Sequence, residues 1–192
     1  MAKRYEFKQD RQGTGFFSKL YLTPKQRRSI LRWGLYALLL LVLSVVQDVM
    51  LCRIRVYGAT TDLVPCGIIL ICVLEGAQKS CIFALIASAV FLFAGGAPGP
   101  YSIVFLTGMA ILAAIFREAY LQRGMGAHLV CVALTLTLYM LLNFAMGLFL
   151  RLTLPGRIWG FLLSAAMTMP VALILHPICT SIEAMGGNTW KE

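Results

Sequence analysis

Six apolar segments alternate with short loops, and the cations of those loops are distributed very unequally. Nine precede the first apolar run: Lys3, Arg4, Lys8, Arg11, Lys19, Lys25, Arg27, Arg28 and Arg32. If the chain crosses a bilayer six times, these share a side with Lys79, Arg117, Arg123 and Lys191. The opposite side receives only Arg53, Arg55, Arg151 and Arg157. Cytoplasmic loops retain Lys and Arg. The expected fold is therefore all-α integral membrane, a compact bundle of six transmembrane helices, N-in and C-in. Residues 1–30 are expected to form a basic cytoplasmic tail and helix start, 31–178 the bundle, and 179–192 a cytoplasmic C-terminal tail.

Composition excludes the main soluble classes. Hydrophobic residues make up 59% of the chain and charged ones 13%, against roughly 45–50% and about 25% in soluble domains. No polar stretch is long enough to enclose a core of its own. The net charge of +9 sits in the N-terminal tail and short loops, where an anionic lipid bilayer is the natural partner. Nucleic acid is not expected. Cys52, Cys66, Cys72, Cys81, Cys131 and Cys179 form no C-x-x-C pair and lie mostly in apolar runs, so they read as small apolar side chains without disulfides. The N-terminus does not read as a cleavable signal, because its polar, basic stretch is long and no small-x-small site follows the first apolar run.

Along the chain, Phe16, Phe17, Leu20 and Tyr21 could share one face of a short helix at headgroup level; a solvated tail fits the composition equally well. Thr23, Pro24 and Gln26 then spell a helix start, and the first span continues to about Leu51. The second apolar segment, Leu63 to Leu74, and the third, Ser80 to Ala94, are short for a hydrocarbon core of about 30 Å. Whether both cross fully is open from sequence. Gly95-Gly96-Ala97-Pro98-Gly99-Pro100 breaks the chain before a fourth span, Tyr101 to Phe116. The fifth runs from Ala127 to Leu150 and the sixth from Ile158 to Ile178, with Pro170 expected to kink it. Small-xxx-small spacing at Ala84/Ser88, Ala110/Ala114 and Gly156/Gly160 suits close helix packing.

Few residues are candidates for chemistry. Asp48 falls late in the first span, where it could pair with Arg53, Arg55, Arg151 or Arg157, or meet a ligand or partner. Asp62 precedes the second span and complements a helix N-terminus. Pro65 is tolerable in an early helical position. Glu75 and Lys79 have i,i+4 spacing, and Asn143 could hydrogen-bond a neighbouring helix. His128 and His176 both approach the cytoplasmic side, but no further ligand accompanies them, so no metal or cofactor is expected. H-E-x-x-H, G-x-S-x-G and phosphate-loop patterns do not occur. A catalytic function is not expected.

The second to fourth segments read Thr61-Asp62-Leu63-Val64-Pro65, then Leu74-Glu75-Gly76, then Gly95-Gly96-Ala97-Pro98-Gly99-Pro100-Tyr101. With the basic N-terminus, six segments and 192 residues, this resembles the MreD family of rod-shape-determining membrane proteins. That family has a Pro-Asp-Leu-like start to its second span, a glycine a dozen residues on, and a Gly-rich turn before the fourth. The resemblance covers roughly Leu31 to Arg117; elsewhere only hydropathy matches. The family's acidic residue at the close of the third span is missing from Ala84–Ala94, so no role tied to it carries over. The resemblance implies a non-enzymatic scaffold of the cell-elongation machinery, binding an MreC-like membrane-anchored protein and the wall-elongation complex. Asp48 and the Pro65–Gly76 stretch are the expected contact residues. The rival expectation is the substrate-binding subunit of an energy-coupling-factor vitamin importer, a class that the MreD family resembles in fold. Such a subunit needs an outward pocket, which Tyr101, Asp48, Asn143 and Trp159 could line.

Overall fold

The computed structural model describes residues 24–49, 51, 59–120 and 124–185. It contains α1 (Pro24–Val49), α2 (Leu63–Glu75), α3 (Ala77–Phe93), α4 (Tyr101–Tyr120), α5 (Met125–Phe149) and α6 (Ile158–Met185), with a turn of 3-10 helix over Pro155–Arg157. The aromatic tail, Thr23, Cys52, Arg53, Arg55, Arg123 and Lys191 lie outside the described residues. Four helices, α1, α4, α5 and α6, are long and apolar enough to cross a membrane. Many of their large apolar side chains, Leu41, Val104, Leu134 and Ile174 among them, are exposed. An exterior of this kind is stable in lipid and not in water.

The sixth helix runs on past residue 179 as far as Met185. Leu175, Cys179 and Ile182 continue one buried stripe there, which prolongs α6 beyond its apolar run, with Pro170 and Pro177 both inside the helix. The second and third segments are as short as their sequence suggests. α2 has 13 residues and α3 has 17, rising about 20 Å and 25 Å, both short of a core of about 30 Å.

The environment of α2 explains how so short a helix is accommodated. Every one of its residues, Pro65 and Gly67 included, is buried, and it touches each of the other five helices. A helix walled off from lipid need not match the bilayer. Its ends must instead find partners inside the protein, because no water reaches the free N–H and C=O groups of its first and last turns.

α1 supplies two of those partners. Its buried stripe reads Arg32, Tyr36, Leu40, Leu43 and Gln47, with the three- and four-residue spacing of one helical face. Gln47 Oε1 accepts from the Val64 amide at 3.0 Å, at the head of α2. Arg32 meets Glu75 at the foot. Between them, Leu40 and Leu43 press on Gly67, where a Cβ would lie 3.0 and 3.1 Å from their methyl groups.

A single residue separates α2 from α3. Gly76 adopts φ 85° and ψ 162°, a left-handed φ that an L side chain reaches only at a cost of about 1–2 kcal/mol. Glu118 of α4 closes over it and accepts from the Ala77 amide at 3.2 Å, capping α3. α3 and α4 then join side by side, with Ser88 Oγ and Thr107 Oγ1 2.7 Å apart. Gly76→Ala should therefore destabilise the protein by about 2 kcal/mol or more, from the backbone penalty together with displacement of Glu118. Gly34→Ala, with open space around its Cβ on α1, should be neutral or stabilising by up to about 1 kcal/mol. Denaturation of both variants in mixed micelles, against the parent chain, measures the contrast.

Candidate functional site

Polar side chains converge at two opposite ends of the bundle. The first end gathers the start of α1, the foot of α2, the end of α4, the start of α5 and the latter part of α6. Arg32 Nε lies 3.2 Å from Glu75 Oε1, with both side chains almost fully buried. The charges touch, yet no aligned hydrogen bond joins them. Tyr36, one turn further along α1, donates its hydroxyl to the Cys179 carbonyl of α6 at 3.4 Å. The expected Glu75–Lys79 pair does not form: Glu75 turns inward while Lys79 is exposed. The carboxylate pairs instead with a cation 43 residues earlier in the chain.

Beside this pair runs a chain of three bases. Arg117 of α4 donates from Nε to His128 Nε2 at 3.2 Å and from Nη1 to the Leu74 carbonyl at 3.5 Å. An acceptor role at Nε2 places the His128 proton on Nδ1, which faces His176 Nε2 across 3.3 Å. The two imidazoles thus come together, a juxtaposition that sequence suggested only as proximity. Each histidine has a cysteine three residues on, but the thiols diverge. Cys131 Sγ points to the Ala113 carbonyl on α4, while Cys179 lies near Cys66 of α2. Among the described residues, no group of three or more His, Cys, Asp or Glu side chains could hold a metal ion.

The second end holds Asp62, the α5–α6 turn and the start of α6. Asp62 occupies the cap position of α2 but makes no capping bond; Gln47 takes that role. Among the described residues, only the positive end of α2 favours the carboxylate, an effect of about 0.3–1 kcal/mol, small against the cost of taking a charge out of water. The Asp62 backbone is held firmly, its amide donating to Thr168 Oγ1 at 3.2 Å, while Ser164 donates to the neighbouring Thr60 carbonyl. Across the turn, Leu152 and Thr153 amides fold back on the Gly147 carbonyl at 2.8 and 3.2 Å. Between these segments lies a recess of about 980 Å³, lined by Asp62, Thr153, Arg157, Trp159 and Phe161 among others.

The remaining candidates are scattered. Asp48 is exposed on α1 and forms no ion pair with Arg151 or Arg157. Asn143 is buried and bonds its own helix, donating to the Tyr139 carbonyl at 3.0 Å, as a short polar side chain readily does four residues back. Tyr101 packs against Phe105 with the rings tilted and their centroids 5.8 Å apart. Of the four residues expected to line a vitamin pocket, Trp159 borders the recess. The Pro65–Gly76 stretch is enclosed, so of the two roles expected for it, interhelical contact is the one its burial allows. Sequence reasoning passed over Arg32, Gln47, Arg117 and Glu118, although the α1 stripe spacing was there to reveal the first two.

A buried ion pair is costly to break and cheap to replace whole. Glu75→Ala should destabilise the protein by about 3–5 kcal/mol, because it leaves Arg32 buried without the carboxylate it touches. The double change Arg32→Met with Glu75→Leu should fall within about 1–2 kcal/mol of the parent. Unfolding free energies for the two singles and the double, arranged as a mutant cycle, provide the check.

Comparison of the chain with family models, curated proteins and solved structures finds no match.

Proposed function

We propose that this protein is a non-catalytic membrane scaffold of the bacterial cell-elongation machinery, seated in the cytoplasmic membrane with both termini inside. The observation that carries this reading is where the charges go. Arg32, Glu75, Arg117 and Glu118 are spent on holding helices to one another, in an arrangement that supports structure better than turnover. The resemblance of the second to fourth segments to MreD supplies the biological setting.

Within this reading, α1 is the docking face for a membrane-anchored, MreC-like partner. α1 lies at the periphery, buried along one stripe only, and its other side exposes Leu38, Leu41, Val45 and Val49. Asp48 stands exposed on that same apolar side. A carboxylate there is unfavourable in lipid and gains from a partner that offers a cation or hydrogen-bond donors near the outer headgroups.

Affinity capture of the tagged chain from solubilised bacterial membranes tests the docking claim. The MreC-like partner and wall synthases should copurify, and Asp48→Ala should lower their recovery at least fivefold with no change in protein level. Undiminished recovery would remove α1 from the interface, and absence of elongation proteins from the parent capture would remove the scaffold reading. Orientation is tested separately. Pro98→Cys, in a chain with serine at positions 52 and 81, should react with an impermeant maleimide in intact cells; reaction only after permeabilisation would reverse the topology.

A further inference from the structure

The recess at the outer end has the makings of a ligand site that scaffolding does not require. Its wall carries the Asp62 carboxylate, which among the described residues has neither a hydrogen-bond donor nor a cation beside it. The backbone here is pinned by Thr168, which accepts from the Asp62 amide, and by Ser164, which donates to the Thr60 carbonyl, so the stem of the carboxylate is held at the recess wall. Thr153 also borders the recess, with its hydroxyl turned away from the open space against Gly147. Arg157 borders the same space with its guanidinium exposed, and Trp159, Phe161 and Met140 supply apolar surface. Gly156 and Gly160 leave the mouth open, with nothing within 4 Å of where a Cβ would project.

These groups select a chemistry. A sheltered carboxylate calls for a cation that donates hydrogen bonds, which favours a primary ammonium over a quaternary one. A guanidinium at the rim calls for phosphate or carboxylate. Indole and phenyl surfaces suit a short alkyl or acyl portion between or beyond them. A purely anionic ligand would meet Arg157 favourably but would bring its charge against Asp62.

We propose that the recess binds a zwitterion, its primary ammonium paired with Asp62 and its phosphate or carboxylate with Arg157. Two sources share that chemistry: the headgroup of an aminophospholipid entering from the outer leaflet, and a free aminoalkyl phosphate or amino acid. The recess and its groups stand on geometry alone; entry from the outer leaflet rests on the orientation proposed above.

Native mass spectrometry of the full chain in detergent, titrated with phosphatidylethanolamine, phosphatidylglycerol or O-phosphoethanolamine, tests the proposal. The expected result is a one-to-one adduct with a zwitterionic probe, at least tenfold stronger than any with phosphatidylglycerol. Retention of the lipid alone assigns the site to a headgroup, and retention of the soluble compound assigns it to a free ligand. Asp62→Asn and Gly160→Leu should each weaken the adduct at least tenfold; Arg157→Gln should weaken it less. All three should melt at or above the parent temperature, since none removes a contact made within the bundle. Equal binding of phosphatidylglycerol, an adduct unaffected by Asp62→Asn, or no adduct with either zwitterion would overturn the proposal.

Discussion

The architecture depends on enclosing α2. A helix buried on every side has left both lipid and water, so its terminal amides and carbonyls and its terminal charges can be satisfied only by other helices. Gln47 and Arg32 of α1 take opposite ends of it, and Arg117 of α4 reaches the Leu74 carbonyl. From Arg32 to Gln47, α1 climbs about 22 Å, and from Val64 to Glu75, α2 covers about 16 Å. Long side chains at both ends make up the difference. The polar contacts therefore fix the register of α2 against α1, a specificity that methyl packing alone supplies poorly when lipid is as apolar as the helices themselves.

The two ends of the bundle are finished differently. At the foot of α2, cations and carboxylates from distant parts of the chain meet, and the Arg117–His128–His176 series ties α4, α5 and α6 together. At the head, the Asp62 and Thr60 backbone groups are held by Thr168 and Ser164, while nothing among the described residues pairs with the Asp62 carboxylate. A protein under selection for stability alone would have apolar or amide side chains there. A carboxylate without a partner beside open space is characteristic of binding sites, where stability is given up for recognition.

Much of the architecture was legible in the sequence, and what escaped has a common cause. Hydropathy and the Gly-Pro turn located all six helices, and Thr-Pro marked the start of α1. The partners of the polar residues were not legible. Glu75 has Lys79 at i,i+4, so local spacing offered a pair, but burial of the whole α2 surface rotates Glu75 towards Arg32 instead. Arg32 itself was counted with the wet-end cations, because its membership in the buried stripe shows only once Tyr36, Leu40, Leu43 and Gln47 are read with it. Asp62 stood in the right place to cap α2, yet the capping acceptor arrives from another helix. Sequence spacing describes neighbours along one helix, while in a bundle this small the decisive neighbours are across it.

The division of α1 into two faces has a consequence for how substitutions on it are to be interpreted. Arg32, Tyr36, Leu40, Leu43 and Gln47 look inward, and changes there act on every helix that α2 touches, so any loss of function is inseparable from loss of fold. Leu38, Leu41, Val45, Asp48 and Val49 look outward and contribute nothing to the clamp on α2. A defect caused on that face with the bundle intact is a defect of association. The periodicity of α1 thus separates the two kinds of effect within one helix: positions three or four residues apart report on the same face, and positions one or two apart can report on different ones. A scan along α1 alone would therefore distinguish a helix that merely closes the bundle from one that also carries its partner.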